Sequence, residues 1–449
     1  MAVQDKHPSF ELYEKDWSLI KDSCVSANHI KSKTTEYLYK TDGQNMAETE
    51  GGMPKGSIYN AYIQKAQFPM WVKDAIRSMV GMSSKLEPTI ELPQQMKGIE
   101  LNATNDGFNL GQLYLRIIKE ILKYGRCFLL ADIDDNGQPF ITTYSALNAI
   151  NWKCCNVEGR EDLNLVVLEE QRFKNDDIFS HAQKTVHRVL RLVDGQYKVF
   201  IYDDSSIEEI TPTTTKGALK YIPCVFAGST HNTNEVDEIP LLTMAEAGLK
   251  YYQLSADYFQ SLFHTAHPQP WITGLDKSNI GGNLITSPMV AWTLPDTAKC
   301  GYMEISGVGI DATKLEMDAQ KSSALESGAK VLDTEGVESG EARKARQNDQ
   351  QATLHSIVVN AAKALEQTLK YCAEWIGSNP NEVKFEVDPD FFTQGVDQVM
   401  AKQLYEAALS NKISMQTHWD YLTKNGQLPS RTYEEEQLLI EKEATGSFV

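Results

Sequence analysis

Apolar positions along this chain follow two rhythms. Spacings of three and four residues predict helices, and short β-branched runs between turn residues predict strands. Ile58, Tyr62 and Ala66, then Trp71, Ile76 and Val80, fall on either side of Pro69 and predict two helices, the second ended by Gly81. Pro88 and Pro93 bracket a short TIEL strand. Asn109 is placed to cap an amphipathic helix in which Leu110, Leu113, Ile117, Ile118, Ile121 and Leu122 form one stripe and Gly125 the C-cap. CFLLADI, the turn signal DDNGQP and FITTYSAL read as a hairpin. LVVLEEQRF, VHRVLRLV, YKVFIYD and YIPCVFAG extend an antiparallel β-module over about residues 126–228, with VDGQY joining two of its strands.

The second half returns to helical spacing. Leu242, Ala245, Leu249, Tyr252, Ala256, Phe259 and Phe263 form one face, stopped by His267-Pro268 and Pro270. A Gly/Pro-punctuated, β-like stretch leads to a second helical segment, ATKLEMDAQKSSALESGAK, and then to the polar loop VLDTEGVESGEA. In the long helix beyond it, Leu354, Ile357, Val358, Ala361, Leu365, Leu369, Cys372 and Ile376 share a face. The tail reads as a short strand, VKFEVD, and three helices, the second capped by Ser414 and the last rich in Glu. Residues 1–56 are polar and read as a mobile or partner-dependent arm with a short helix near Phe10–Ile20. A β-insert held between two helices is natural for a stalk that carries a tip. The fold class is α+β, in more than one module given 449 residues.

Charge narrows the functions. The net charge is −18, against the basic surface that gripping DNA phosphates requires, so tight duplex binding is disfavoured while an acidic wall along which DNA slides is compatible. The seven cysteines are odd in number and the first residues lack the apolar core of a secretion signal, which together predict free thiols in a reducing compartment. No apolar run approaches the ~20 residues of a membrane span.

Catalytic chemistry is sparse. No G-x-x-x-x-G-K-[ST] occurs, and the glycines of GVESGEARK and IGGN lack its strand-to-helix frame. Cys154 and Cys155 are adjacent and cannot chelate as a C-x-x-C pair, and His264 and His267 have no third ligand nearby in sequence. No G-x-S-x-G elbow is present. The pairs Asp134-Asp135, Asp176-Asp177 and Asp203-Asp204 fall in turns and read as solvated. The polar loop is less ordinary. Lys330, Asp333, Glu335, Glu338 and Glu341 are followed by Arg343, Lys344 and Arg346 at the start of the long helix, where positive charge opposes the helix dipole. That cost points to an outside partner, either an acidic neighbouring subunit or nucleic acid.

Four segments, in order, carry a resemblance: YNAYIQKAQFPMWVKDAIRSMVGMSSKLEPTIELP, NLGQLYLRIIKEILKYGRCFLLADID, IPLLTMAEAGLKYYQLSADYFQSLFHTAHPQPWITG and NKISMQTHWDYLTKNGQLP. Their order and spacing resemble bacteriophage portal proteins, in particular a portal-like branch of unknown function, over about residues 58–440. The N-terminal arm departs from that pattern and the tail is short.

The resemblance implies a portal fold: an α/β wing, a two-helix stem, a small β-rich clip, a long wing helix and a short helical C-terminal crown. By position, residues 1–57 are an N-terminal arm, 58–240 the wing, 241–266 stem helix one and 267–308 the clip. Residues 309–328 are stem helix two, 329–342 the tunnel loop, 343–393 the long wing helix and strand, and 394–449 the tail or crown. It implies a non-enzymatic, dodecameric ring without cofactor or metal, at one capsid vertex of a virion assembled in the host cytoplasm. Its partners would be major capsid and scaffold proteins, terminase, and tail or adaptor proteins, with double-stranded DNA passing through without sequence preference. Lys330, Asp333, Glu335, Glu338, Glu341, Arg343 and Lys344 would face the channel, and Trp271, Ile272, Val290 and Trp292 would make clip contacts. Glu246, Asp257, Glu316, Asp318 and Glu326 are candidates for an acidic lining. The rival readings are another ring-forming virion connector and a cytoplasmic α+β enzyme that uses the acidic turns.

Overall fold

Asn109 caps its helix as its position predicts. Its side chain accepts from Gln112 N at 2.8 Å, and the Gln112 side chain accepts from Asn109 N at 3.2 Å, so two orphan donors are satisfied reciprocally. The computed structural model that shows this describes residues 3–446 apart from residues 51, 53, 135–136, 158–159, 175–180, 204–205, 215–216, 267–268, 275–293, 295, 304–306, 329–339, 390–397, 411, 425–427 and 429–430. The chain divides into two compact units: Met1–Gly81 with Thr89–Glu386, and Met82–Pro88 with Val387–Val449.

The larger unit begins with helices α1 (Pro8–Val25), α2 (Ala27–Ser32), α3 (Asp42–Thr49), α4 (Ser57–Lys65) and α5 (Trp71–Ser83). Strand β1 (Thr89–Glu91), the short α6 (Lys97–Leu101) and α7 (Leu110–Tyr124) follow. Every residue of the predicted α7 stripe is buried. α5 runs through Gly81, which was expected to end it; an isolated glycine inside a helix costs only about 1 kcal/mol against alanine.

The N-terminal arm is not free. Phe10, Trp17 and Ile20 of α1 are buried, and Trp17 Nε1 donates to Tyr124 O at 3.0 Å, fixing α1 to the end of α7. Ile30 and Leu38 are buried behind it. Asp22 is buried as well, accepting from the Tyr37 hydroxyl at 2.7 Å and pairing with Lys33 at 3.0 Å. The polar composition of residues 1–56 hid a narrow apolar face: positions 10, 17 and 20 lie one above another on a helix.

The β-module forms two sheets. β2 (Arg126–Ile133) pairs with β3 (Pro139–Ser145) on one side and with β11 (Cys224–Gly228) on the other, giving the order β11-β2-β3. Strands β4 (Ala149–Val157), β5 (Arg160–Phe173), β6 (Gln183–Val193), β7 (Gln196–Asp203) and β8 (Ser206–Ile210) form an antiparallel meander in sequence order. A small hairpin of β9 (Thr213–Thr214) and β10 (Gly217–Ala218) follows. Arg188 of β6 pairs with Asp132 of β2, an ion link between the two sheets.

Helix α8 (Leu242–Ala266), strands β12 (Gln269–Thr273) and β13 (Lys299–Met303), α9 (Val308–Glu326) and α10 (Gly340–Trp375) complete the unit with β14 (Lys384–Glu386), which pairs with β1. The α10 face closes the core over β2, β11 and α7, with Leu354 through Cys372 of the predicted stripe buried. The smaller unit holds α11 (Gln398–Leu409), α12 (Met415–Lys424) and α13 (Tyr433–Gly446). Ser414 caps α12 as expected, its hydroxyl accepting from Thr417 N at 3.2 Å. The fold class is α+β, as read from the sequence.

Candidate functional site

The stalk and tip exist as one element. α8 and α9 pack together, and the antiparallel β12-β13 pair lies between them in the chain. The near half of α8 is locked into the unit. Met244, Ala245, Gly248, Tyr252, Ser255 and Ala256 are buried, and Met317 and Ala324 are the buried residues of α9. Ser255 Oγ accepts from Gln67 N at 2.8 Å, and Asp257 accepts from the Tyr62 hydroxyl at 2.5 Å. Burial first, and then that carboxylate, push the Tyr62 phenol up. Lys65 reaches both the Gln260 side chain at 2.7 Å and the face of the Phe263 ring at 3.7 Å.

The connection from β11 into α8 is tied equally firmly. Asp237 accepts from Thr230 N and His231 N, each at 2.8 Å, and Ser229 Oγ donates to Glu238 O at 2.8 Å. From α10, Ser356 Oγ donates to Ser229 O at 3.0 Å and Asn360 Nδ2 to Gly228 O at 3.3 Å. The stalk therefore leaves the sheet through a joint whose backbone groups are held by side chains of the joint itself and of α10.

The far half is more exposed. Leu262 and Phe263 at the end of α8, Trp271, Tyr302 and Met303 on the hairpin, and Val308 at the start of α9 are all exposed. Trp271 stands opposite Gly301, where even a Cβ would come within 2.9 Å of its ring, so the indole lies flat across the partner strand. Its surface is nevertheless 40% exposed, and Tyr302 and Met303 reach 57% and 62%. Isolated apolar exposure is ordinary, but this concentration on one short element marks a surface that seeks a partner.

Of the expected clip contacts, Trp271 and Ile272 lie on β12, exposed and half-buried respectively. Val290 and Trp292 lie outside the described residues, as do Lys330, Asp333, Glu335 and Glu338. Glu341, Arg343 and Lys344 lie in the first turns of α10. The acidic candidates separate. Glu246, Glu316 and Glu326 are exposed, and Glu316 accepts from Gln320 at 2.8 Å. Asp257 is exposed as well and accepts from the Tyr62 hydroxyl. Asp318 lies close enough to Tyr251 that, after burial, its charge raises that phenol. Sequence reasoning missed Tyr62, Gln67 and Ser255; the available signal was a serine on the buried stripe of α8 between Tyr252 and Phe259. No cluster of metal ligands occurs among the described residues.

Comparison with known proteins gives a partial family match. A family described as a domain of unknown function (DUF4055) matches residues 240–376, the stretch from α8 to just past α10. No curated protein matches the chain. Similar solved structures include one described as the virion of a native gene transfer agent particle, at 12% identity and a TM-score of 0.43, covering 84% of this chain and 95% of that one. Two others are the neck of the empty gene transfer agent particle computed with C6 symmetry and the neck of the native particle computed with C12 symmetry. Each is 15% identical with a TM-score of 0.42, covering 85% of this chain and 94% of the other.

Proposed function

We propose that this chain is a portal-type subunit of a closed homo-oligomeric ring through which double-stranded DNA passes into and out of a viral capsid. The observation that carries the reading is the stalk whose base is locked into the fold while its tip presents Trp271, Tyr302 and Met303 to solvent. In a ring each tip meets its neighbours, so the apolar side chains are covered and the strand edges of β12 and β13 find pairing partners. In this reading α8 and α9 are the stem and β12-β13 the clip. The stretch from Lys330 to Lys344 faces the channel, and the ring is twelve-fold. The wider reading follows the sequence resemblance: terminase and then tail or adaptor proteins dock at the ring, capsid and scaffold proteins surround it in the virion, and the role is structural rather than catalytic.

The test is the mass of the purified protein. Native mass spectrometry is expected to show a closed oligomer that Trp271→Glu reduces to monomer, while circular dichroism of the variant stays unchanged. Monomer under all conditions, including with capsid or scaffold protein present, refutes the ring. Normal rings formed by the Trp271→Glu protein refute the role given to the tip.

A further inference from the structure

The larger unit also carries a groove along α7. Gln112, Leu115 and Lys119 of α7 form one wall of a depression of about 640 Å³, and Val80 of α5, Phe108 and Tyr144 of β3 line the remainder. Most of its polar lining is already engaged. Gln112 accepts from Asn109 N, Arg116 pairs with Asp106 at 2.6 Å with its guanidinium 3.9 Å over the Phe108 ring, and Glu120 pairs with Lys123 at 2.9 Å. Lys119 is exposed and forms no ion pair among the described residues. The groove thus offers apolar surface with one uncommitted cation at its rim. A fitting occupant is apolar and carries carboxylates.

The chain itself contains such a segment. α13 is anchored at its start, where Thr432 Oγ1 accepts from Glu435 N at 3.2 Å and Tyr433 packs on Trp419 with ring centroids 6.0 Å apart. Beyond that turn Leu438, Leu439 and Ile440 are exposed, at 56%, 37% and 50%. Glu434 and Glu441 lie four residues before and three after Leu438, on its face of the helix. The lengths are similar: at the helical rise residues 112–120 of α7 span about 12 Å and 434–441 of α13 about 10.5 Å.

We propose that in the assembled ring α13 of one copy lies in the α7 groove of a second copy, with Leu438 and Leu439 on Leu115 and Phe108 and a Glu carboxylate on Lys119. The proposal rests on the ring reading for its second copy. Groove and helix are complementary in charge, and the heterologous contact of a closed ring joins two different surfaces of the same chain. Docking this helix in the groove covers Leu438 and Leu439 and leaves the charge pair at the rim to set the register.

The experiment places a photoreactive benzoylphenylalanine at Leu115, and in a second variant at the exposed Lys119. Rings are assembled from equal amounts of ¹⁵N-labelled and unlabelled chains. Native mass is recorded, the rings are irradiated, and cross-linked tryptic peptides are identified. Cross-links from either position to residues 432–442, in mixed heavy–light pairs, are the expected result. Lys119→Glu should lower their yield about threefold at unchanged ring mass, and adding Glu434→Lys should restore it, as expected of a rim charge pair. Cross-links confined to same-isotope pairs overturn the second copy in favour of the chain's own α13. Intact rings without cross-links to 432–442 overturn the docking and leave the ring standing. Failure of the unmodified protein to form rings overturns both.

Discussion

At the scale of single residues, the N-terminus is held by a stack. The His7 ring lies 4.0 Å from Trp152 at an interplanar angle of 17°, and the Arg126 guanidinium sits beyond it, 4.5 Å from Trp152 and 4.0 Å from Phe226. Burial pushes the Arg126 pKa down to about 9, still above neutral pH, so it remains the cation that such stacking requires. His7 Nδ1 accepts from Ser9 N at 3.2 Å and caps α1, a role open only to the unprotonated nitrogen. Burial, and then the Arg126 charge, hold the His7 pKa below its ordinary value. The folded state therefore favours neutral His7. Its contribution is complete above the unfolded value near 6.5 and is lost as pH falls through the lower folded value. His7→Asn keeps a capping oxygen without a titrating ring. The wild type should thus lose more thermal stability than His7→Asn between pH 7.5 and pH 5. Parallel losses in the two proteins would remove His7 from the account.

At the scale of elements, the joint between β11 and α8 decides how the stalk is aimed. Gly228 lies where a Cβ would collide with His231 O and the Asp237 carboxylate, the group that accepts from Thr230 N and His231 N. Gly228→Ala must displace that carboxylate or the loop, an overpacking cost of about 1–3 kcal/mol. Asn360→Ala should act in the same direction more gently, because it removes the donor from α10 and leaves Gly228 O to find water. The expected readout is a lowered melting temperature for both, with faster amide exchange over residues 228–238 in Gly228→Ala. Wild-type exchange there would mean that the joint is not held by these contacts.

At the scale of the whole molecule, the charge governs what the proposed channel does with DNA. Each chain carries −18, so twelve copies would carry 12 × −18 = −216 before counterions. Glu246, Glu316 and Glu326 place part of that charge on the exposed sides of α8 and α9. In the proposed ring that repulsion would be screened beyond about 8 Å at physiological salt and would act as a short-range, non-stick lining. Purified rings should bind duplex DNA weakly even at low salt, with a shallow dependence on salt concentration because few phosphates are neutralised. A mobility-shift titration measures this. Tight, sequence-specific binding would exclude the sliding channel and favour a DNA-recognition protein.

The sequence by itself determined those elements whose signal lies within one or two turns of chain. The capping pair Asn109–Gln112, the stripes of α7 and α10, and the helix–hairpin–helix order of α8 to α9 all depend on local period and local hydrogen bonding. The exposure of Trp271 was legible for the same reason, as an apolar residue in a segment too short to bury it, although Ile272 beside it is half-buried. Only the tertiary structure decided what depends on distant partners. β11 crosses back to pair with β2 rather than with the strands just before it, because the apolar face of α10 covers β2 and β11 together. Trp17 can be buried because the end of α7 offers a carbonyl to its indole, and Asp257 gains a hydroxyl donor because Tyr62 arrives from nearly two hundred residues earlier. A polar segment with three well-spaced apolar residues reads as an arm until another element supplies the surface they bury against, since burial is a property of the pair and the sequence shows one side at a time.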